Sequence, residues 1–349
     1  MTKAAIPEFP FFGSSSAHPL LSLHPFNLRI SLRLGVGLDR RLLRTLSVAV
    51  RASSDHRGKS SSLSPLEFES PVGLLLSQIL QTHPHLLPAA IDQQLENLKT
   101  EQQESSSSQD VLYRRIAEVK QKERRIVLEE IIYSLVVQKF IDSNILMIPK
   151  LPPASSDPTG RVDFWQNQEQ KLESIHSPEA FEMILSHLSI VLGDREVGPL
   201  ETIVQISSIK LGKLYAASVM YGYFLRRVDE RYQLDVRVDT NGKRENGEED
   251  EEICSLRSYV MLLDGDTLQR YATIRSKEAI SLIEKQTQAL FGRPDIKITE
   301  DGSLDASNDE LVSLSFSGLT MLVLEAVAFG SFLWDSECYV ESKFHFLSS

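Results

Sequence analysis

The stretches IVQISSIKLGKLYAASVMYGYFL, Ile203 to Leu225, and LVSLSFSGLTMLVLEAVAFGSFL, Leu311 to Leu333, align without a gap. Eight positions agree, among them Val219 with Val327, Gly222 with Gly330 and Phe224-Leu225 with Phe332-Leu333. Both continue into segments too apolar to face water on all sides, so each must be covered by other elements. Ahead of them lies a second match, SPEAFEMILSHLSIVLG (Ser177–Gly193) with SKEAISLIEKQTQALFG (Ser276–Gly292). Each begins on a serine N-cap, carries apolar residues at helical spacing and stops at a glycine. A fainter match joins IVLEEIIYS, Ile126 to Ser134, with LVLEAVAFG, Leu322 to Gly330. The expected fold is mainly α, with helical repeat units packed around a common core. A small β-hairpin belongs to the C-terminal unit: Ile296 and Ile298 alternate with polar residues, Asp301-Gly302 is a turn signal, and Val312, Leu314 and Phe316 alternate with serines.

Working outward, residues 1–52 carry +5 and the remainder −16. An Arg-rich, acid-poor head containing serines and joined to an acidic body has the composition of an organelle transit peptide, and Val50-Arg51-Ala52 at its end resembles a plastid processing site, so residues 1–52 are expected to be a chloroplast transit peptide. The divisions that follow are a flexible lead-in at 53–69, an N-terminal helical unit at 70–150, a linker at 151–176 and a second helical unit at 177–238. A disordered acidic loop at 239–253 and a C-terminal helical unit with the hairpin at 254–346 complete the chain. Ser70-Pro71 starts the first helix, with proline where its missing N–H costs nothing.

The acidic body argues against general nucleic-acid binding, which depends on Lys and Arg neutralising phosphates. Cys254 and Cys338 form neither a disulfide framework nor a zinc site. GLTMLVLEAVAFGSFLW, Gly318 to Trp334, is short for a membrane span and has Glu325 at its centre, so it reads as a core helix and no transmembrane segment is expected. VMLLDGDTLQR resembles a phosphatase start, but its threonine falls one place early, and Asp264 or Asp266 is better placed to cap a helix. His83-Pro84-His85 has no third metal ligand and reads as a turn. There is no H-E-x-x-H, G-x-S-x-G, Walker or Rossmann pattern, which points away from several enzyme classes and gives no cofactor or catalytic residue.

Two segments remain as binding candidates. Tyr215, Tyr221, Tyr223 and Arg226 share a stretch with small residues and could line a ligand groove. Arg114, Arg115, Lys120, Lys122, Arg124 and Arg125 form a basic docking face for RNA or an anionic membrane surface, weighed against a solvated helix face with internal ion pairs.

The strings SPVGLLLSQIL, HPHLLPAAIDQQLE, VLYRRIAEVK, YAASVMYGYFLRR, TLQRYATIRSKEA and VLEAVAFGSFLWD together resemble a plant plastid family of UV-B-induced proteins, a domain-of-unknown-function family. The resemblance spans about residues 66–346 and implies chloroplast location and a link to light stress. It carries no catalytic residue or cofactor. The reading is therefore a stromal interaction or scaffold protein with a protein partner. A small-molecule binder or enzyme using the tyrosine helix, and peripheral thylakoid attachment through the basic helix, are the alternatives.

Overall fold

The computed structural model describes residues 63–104, 111–152, 161–192, 202–243, 255–293, 297–298, 304–305 and 310–344. In chain order these give α1 (Pro71–Thr82), a 3-10 turn (Pro84–Leu86), α2 (Leu87–Glu104), α3 (Val111–Asp142), α4 (Glu169–Glu173) and α5 (Pro178–Leu192). Then come β1 (Ile203–Ser207), α6 (Ser208–Lys243), α7 (Leu256–Leu262), α8 (Gly265–Ala272) and α9 (Lys277–Phe291). The chain ends with β2 (Lys297–Ile298), β3 (Leu304–Asp305), β4 (Leu311–Ser315) and α10 (Phe316–Lys343). The predicted transit peptide, the acidic loop beyond Lys243, Cys254, Ile296 and the Asp301-Gly302 turn lie outside the described residues.

Serines begin the helices where the sequence places them. The Ser70, Ser177 and Ser276 hydroxyls accept from the backbone N–H three residues on, Gly73 at 2.9 Å, Ala180 at 3.1 Å and Ala279 at 3.0 Å. Each satisfies a donor that the first helical turn leaves unpaired. Asp264 does the same for Thr267 at 2.8 Å, so the phosphatase-like string is a helix start. At the other end of α9, Gly292 adopts φ +80°, a backbone conformation that a side chain would strain.

The core is built on α10, whose residues from Gly318 to Trp334 are buried without interruption. It is the one described helix long and apolar enough to cross a membrane, and 89% of that apolar window is enclosed by the rest of the fold. α6 packs along it most extensively, α3, α4 and α5 cover other sides, and α9 sits against α6 and α3. At the crossing, a Cβ on Gly222 would collide with the Val327 carbonyl oxygen, and one on Gly330 with the Val219 carbonyl oxygen. Only glycine allows the two backbones this close.

β1 pairs antiparallel with β4, Ile203 opposite Ser315 and Ser207 opposite Leu311. The alternating residues Val312 and Leu314 therefore find their partner about a hundred residues upstream and not in a neighbouring hairpin strand. A second antiparallel pair among the described residues joins β2 to β3, Lys297 opposite Asp305. Phe316, predicted to continue the alternation, already begins α10 because Ser315 caps it through Gly318 N–H at 3.0 Å. The 108-residue offset that aligns the two long stretches maps β1 onto β4, and it exchanges the Val219–Gly330 contact with the Val327–Gly222 contact. α3, which carries the fainter match, has no strand before it among the described residues.

Within the segment predicted as a linker, residues 161–176 make contacts with the core. Val162 N–H donates to the Ser313 carbonyl at 3.0 Å, extending the β4 edge, and Leu172 of α4 is buried against the core. α6 runs to Lys243 and so continues into the charged insertion.

Candidate functional site

Helical spacing places the four residues of the proposed groove on different sides of α6. Tyr215 and Tyr223 lie two turns apart and are fully buried. Tyr223 donates to Glu337, and burial together with that carboxylate raises its pKa. Tyr221 points towards α5, donates to the Met183 carbonyl at 3.0 Å and stacks on His187 at 4.4 Å between centroids. Arg226 lies at the edge, its Nε 2.9 Å from Asp335 Oδ1 and 3.3 Å from Glu230 Oε1, while Asp335 Oδ2 takes Lys139 at 3.0 Å. The arrangement ties α6, α10 and α3 together, and the phenol hydroxyls of Tyr221 and Tyr223 are engaged within the fold.

The basic candidates lie on the first half of α3. Arg115, Lys120, Lys122 and Arg125 are exposed and Arg124 is half-buried; the Arg114 side chain lies outside the described residues. Residues 115–123 are exposed on every face of the helix, and Ile116 and Val119 are 43% and 54% accessible. Arg125 reaches back to Glu278 at 3.6 Å. This arm is a helix extending past the body, and its apolar residues have no cover from the described chain.

Four buried carboxylates, unmarked in the sequence, hold helix starts. Glu130 accepts from the Glu69 N–H at 2.6 Å, the Ser70 N–H at 3.1 Å and the Ser70 hydroxyl. Asp163 accepts from the Ser315 N–H at 2.9 Å and from its hydroxyl, with Arg161 Nε at 2.6 Å. Asp229 accepts from the Ser177 hydroxyl at 3.0 Å, and Glu337 from the Ser276 N–H at 2.9 Å. A buried charge is tolerable when donors and a helix N-terminus surround it. Asp229 and Glu337 stand at the same 108-residue offset, a signal present in the sequence but legible only once their partners are known.

A fifth buried carboxylate has no such partner. Both oxygens of Glu325 are inaccessible and receive no hydrogen bond of normal geometry. Burial pushes its pKa up to about 7, against the opposing pull of the Tyr215 hydroxyl and the Ile148 backbone. Beside it runs a buried chain of polar groups. The Leu66 N–H donates to Tyr133 Oη at 3.3 Å, Tyr133 donates to Gln286 Oε1 at 3.1 Å, and Gln286 Nε2 donates to Tyr215 Oη at 3.4 Å. In the sequence Glu325 marks only an obstacle to membrane insertion, and nothing there singles out Tyr133 or Gln286. A lone acid inside an apolar helix was the available signal.

No group of three or more His, Cys, Asp and Glu among the described residues could hold a metal. His83 and His85 sit across a helix end and a 3-10 turn, rings 6.0 Å apart. Burial pushes the Cys338 thiol up to about 12, which makes it a poor nucleophile.

Buried helices whose starts are held by carboxylates define a class by architecture, and sequence comparison supplies the family. Residues 111–238 match the family described as "Protein of unknown function (DUF760)". The chain belongs to this family. It is 45% identical to the UV-B-induced, chloroplastic protein of Arabidopsis thaliana, over 91% of this chain and 90% of that protein. No solved structure matches.

Proposed function

We infer that this chain is a chloroplast protein of the light-stress response that acts in the stroma by binding a protein partner, with the α3 arm as its docking element. The observation that carries this reading is the arm itself. Residues 115–123 face solvent on all sides, with Ile116 and Val119 uncovered among Arg115, Lys120 and Lys122. An exposed helix that combines apolar anchors with an excess of positive charge suits an acidic protein surface, since complementary charge steers encounter while buried apolar side chains hold the complex. The match to the UV-B-induced chloroplastic relative supports the compartment and the stress link. The engagement of Glu130, Asp163, Asp229 and Glu337 in helix caps supports a structural role for these four buried carboxylates.

The test is photo-crosslinking in illuminated chloroplasts from position 116 or 119, comparing the native arm with Arg115→Glu/Lys120→Glu/Lys122→Glu. A discrete protein adduct that disappears on charge reversal is expected. Identical adducts from both forms overturn the assignment of the arm. Salt-sensitive binding to anionic vesicles without a protein adduct makes the arm a lipid contact and overturns the protein-partner reading.

A further inference from the structure

We propose that Glu325, beside Tyr215 and the Gln286–Tyr133 pair, forms a proton-controlled latch in the core: buried with neither oxygen hydrogen-bonded, it is carried into the fold as the neutral acid, and its ionisation weakens the packing of α10 against α3 and α6. The hydrogen-bond directions run the buried polar groups towards Glu325 and stop short of satisfying it. A backbone N–H can only donate, so Leu66 makes Tyr133 Oη the acceptor, and the Tyr133 proton goes to Gln286 Oε1. The Gln286 amide then donates through Nε2 to Tyr215. The Tyr215 hydroxyl proton is the last one in this chain, and Glu325 is the group beside it.

One hydroxyl and the Ile148 backbone are too few donors for two ionised oxygens. The titratable groups facing Glu325 are Tyr133 from α3 and Tyr215 from α6, each with its own pKa raised by burial. α9 contributes the neutral Gln286, the segment after α3 contributes backbone, and no charged side chain of α4 or α5 is among the groups that act on it. An unpaired buried carboxylate must therefore take up a proton, admit water or separate the helices. The rise of its pKa to about 7 places that choice near neutrality.

The sign follows from linkage. Between the unfolded value of 4.5 and about 7, the folded chain binds more protons at Glu325 than the unfolded chain does. Its contribution to stability is complete below that window and is lost as pH rises through it. His176 and His187, both pushed down to about 4 by burial, give a slope of the opposite sign up to about 6.5, so the overall stability curve is mixed. The informative quantity is the difference between the native chain and Glu325→Gln, in which the histidine contributions cancel.

The experiment is denaturant unfolding of the full chain and of Glu325→Gln across that pH range. The ratio of their folding equilibrium constants should change by about tenfold per pH unit inside the window, always against the native chain as pH rises. Parallel curves overturn the latch. Infrared titration of the native chain covers the case in which the variant fails to fold. A protonated carboxyl stretch should persist at about pH 6 and disappear by about pH 8; its absence at the lower pH overturns the proposal.

Discussion

Gly222 of α6 and Gly330 of α10 face each other's helices at one crossing, and each leaves room for a backbone carbonyl of the other, Val327 and Val219 respectively. A methyl group at either place meets backbone, which cannot rotate away as a side chain can. Gly222→Ala and Gly330→Ala should each destabilise the fold by about 2–3 kcal/mol or more, despite alanine's better helix propensity. Denaturant unfolding gives the value. Gly265→Ala is the control, since a Cβ there meets nothing within 4 Å.

Glu337 joins Tyr223 of α6 to the start of α9 at Ser276. Glu337→Gln keeps the shape but removes the charge that both donors and the helix end favour, so a loss of about 1.5–3 kcal/mol is expected. Tyr223→Phe should cost less on its own. A double-mutant cycle should show coupling between the two, whereas Glu337 with Tyr221, which donates elsewhere to Met183, should be additive.

Burial by itself would raise the Asp163 carboxyl, but the Arg161 and Ser315 donors outweigh it and the net pKa is lowered. A depressed folded pKa contributes stability that is present above the unfolded value of 3.8 and is lost as pH falls through the folded one. Asp163→Asn should therefore remove part of the acid denaturation and lower stability at neutral pH. Circular dichroism against pH for the two chains is the check.

His187 is stacked on Tyr221, and its Nε2 lies 3.2 Å from the Ser218 hydroxyl. Burial pushes its pKa from 6.5 down to about 4, so the folded chain keeps it neutral. Its contribution is complete above 6.5 and lost as pH falls from there towards about 4. His187→Gln should flatten the stability profile in that window, and NMR titration of the ring should show no charging near neutrality.

Charge reversal of Arg115, Lys120 and Lys122 should leave the unfolding midpoint within about 0.5 kcal/mol of the native chain, because these side chains are exposed. A larger loss would mean that the arm packs on the body, which would separate a folding defect from a binding defect in the crosslinking experiment.

Local and periodic features were legible in the sequence because neighbouring residues set them. The Ser70, Ser177 and Ser276 caps, the Asp264 cap, the Gly292 stop and the burial of the Gly318–Trp334 run all follow from short-range chemistry and apolar spacing. The match to UV-B-induced plastid proteins was also carried by contiguous strings. Partners distant in the chain were a matter for the tertiary structure. Alternation at Val312 and Leu314 announces a strand but not that Val204 and Ile206 lie on the strand beside it. Tyr215, Tyr221 and Tyr223 look like one site on paper, yet a helix turns them towards α9, α5 and α10. Glu325 is an acid in an apolar run until folding buries it beside Tyr215 with neither oxygen hydrogen-bonded, because burial and hydrogen-bond supply are properties of packed neighbours and not of the chain's order.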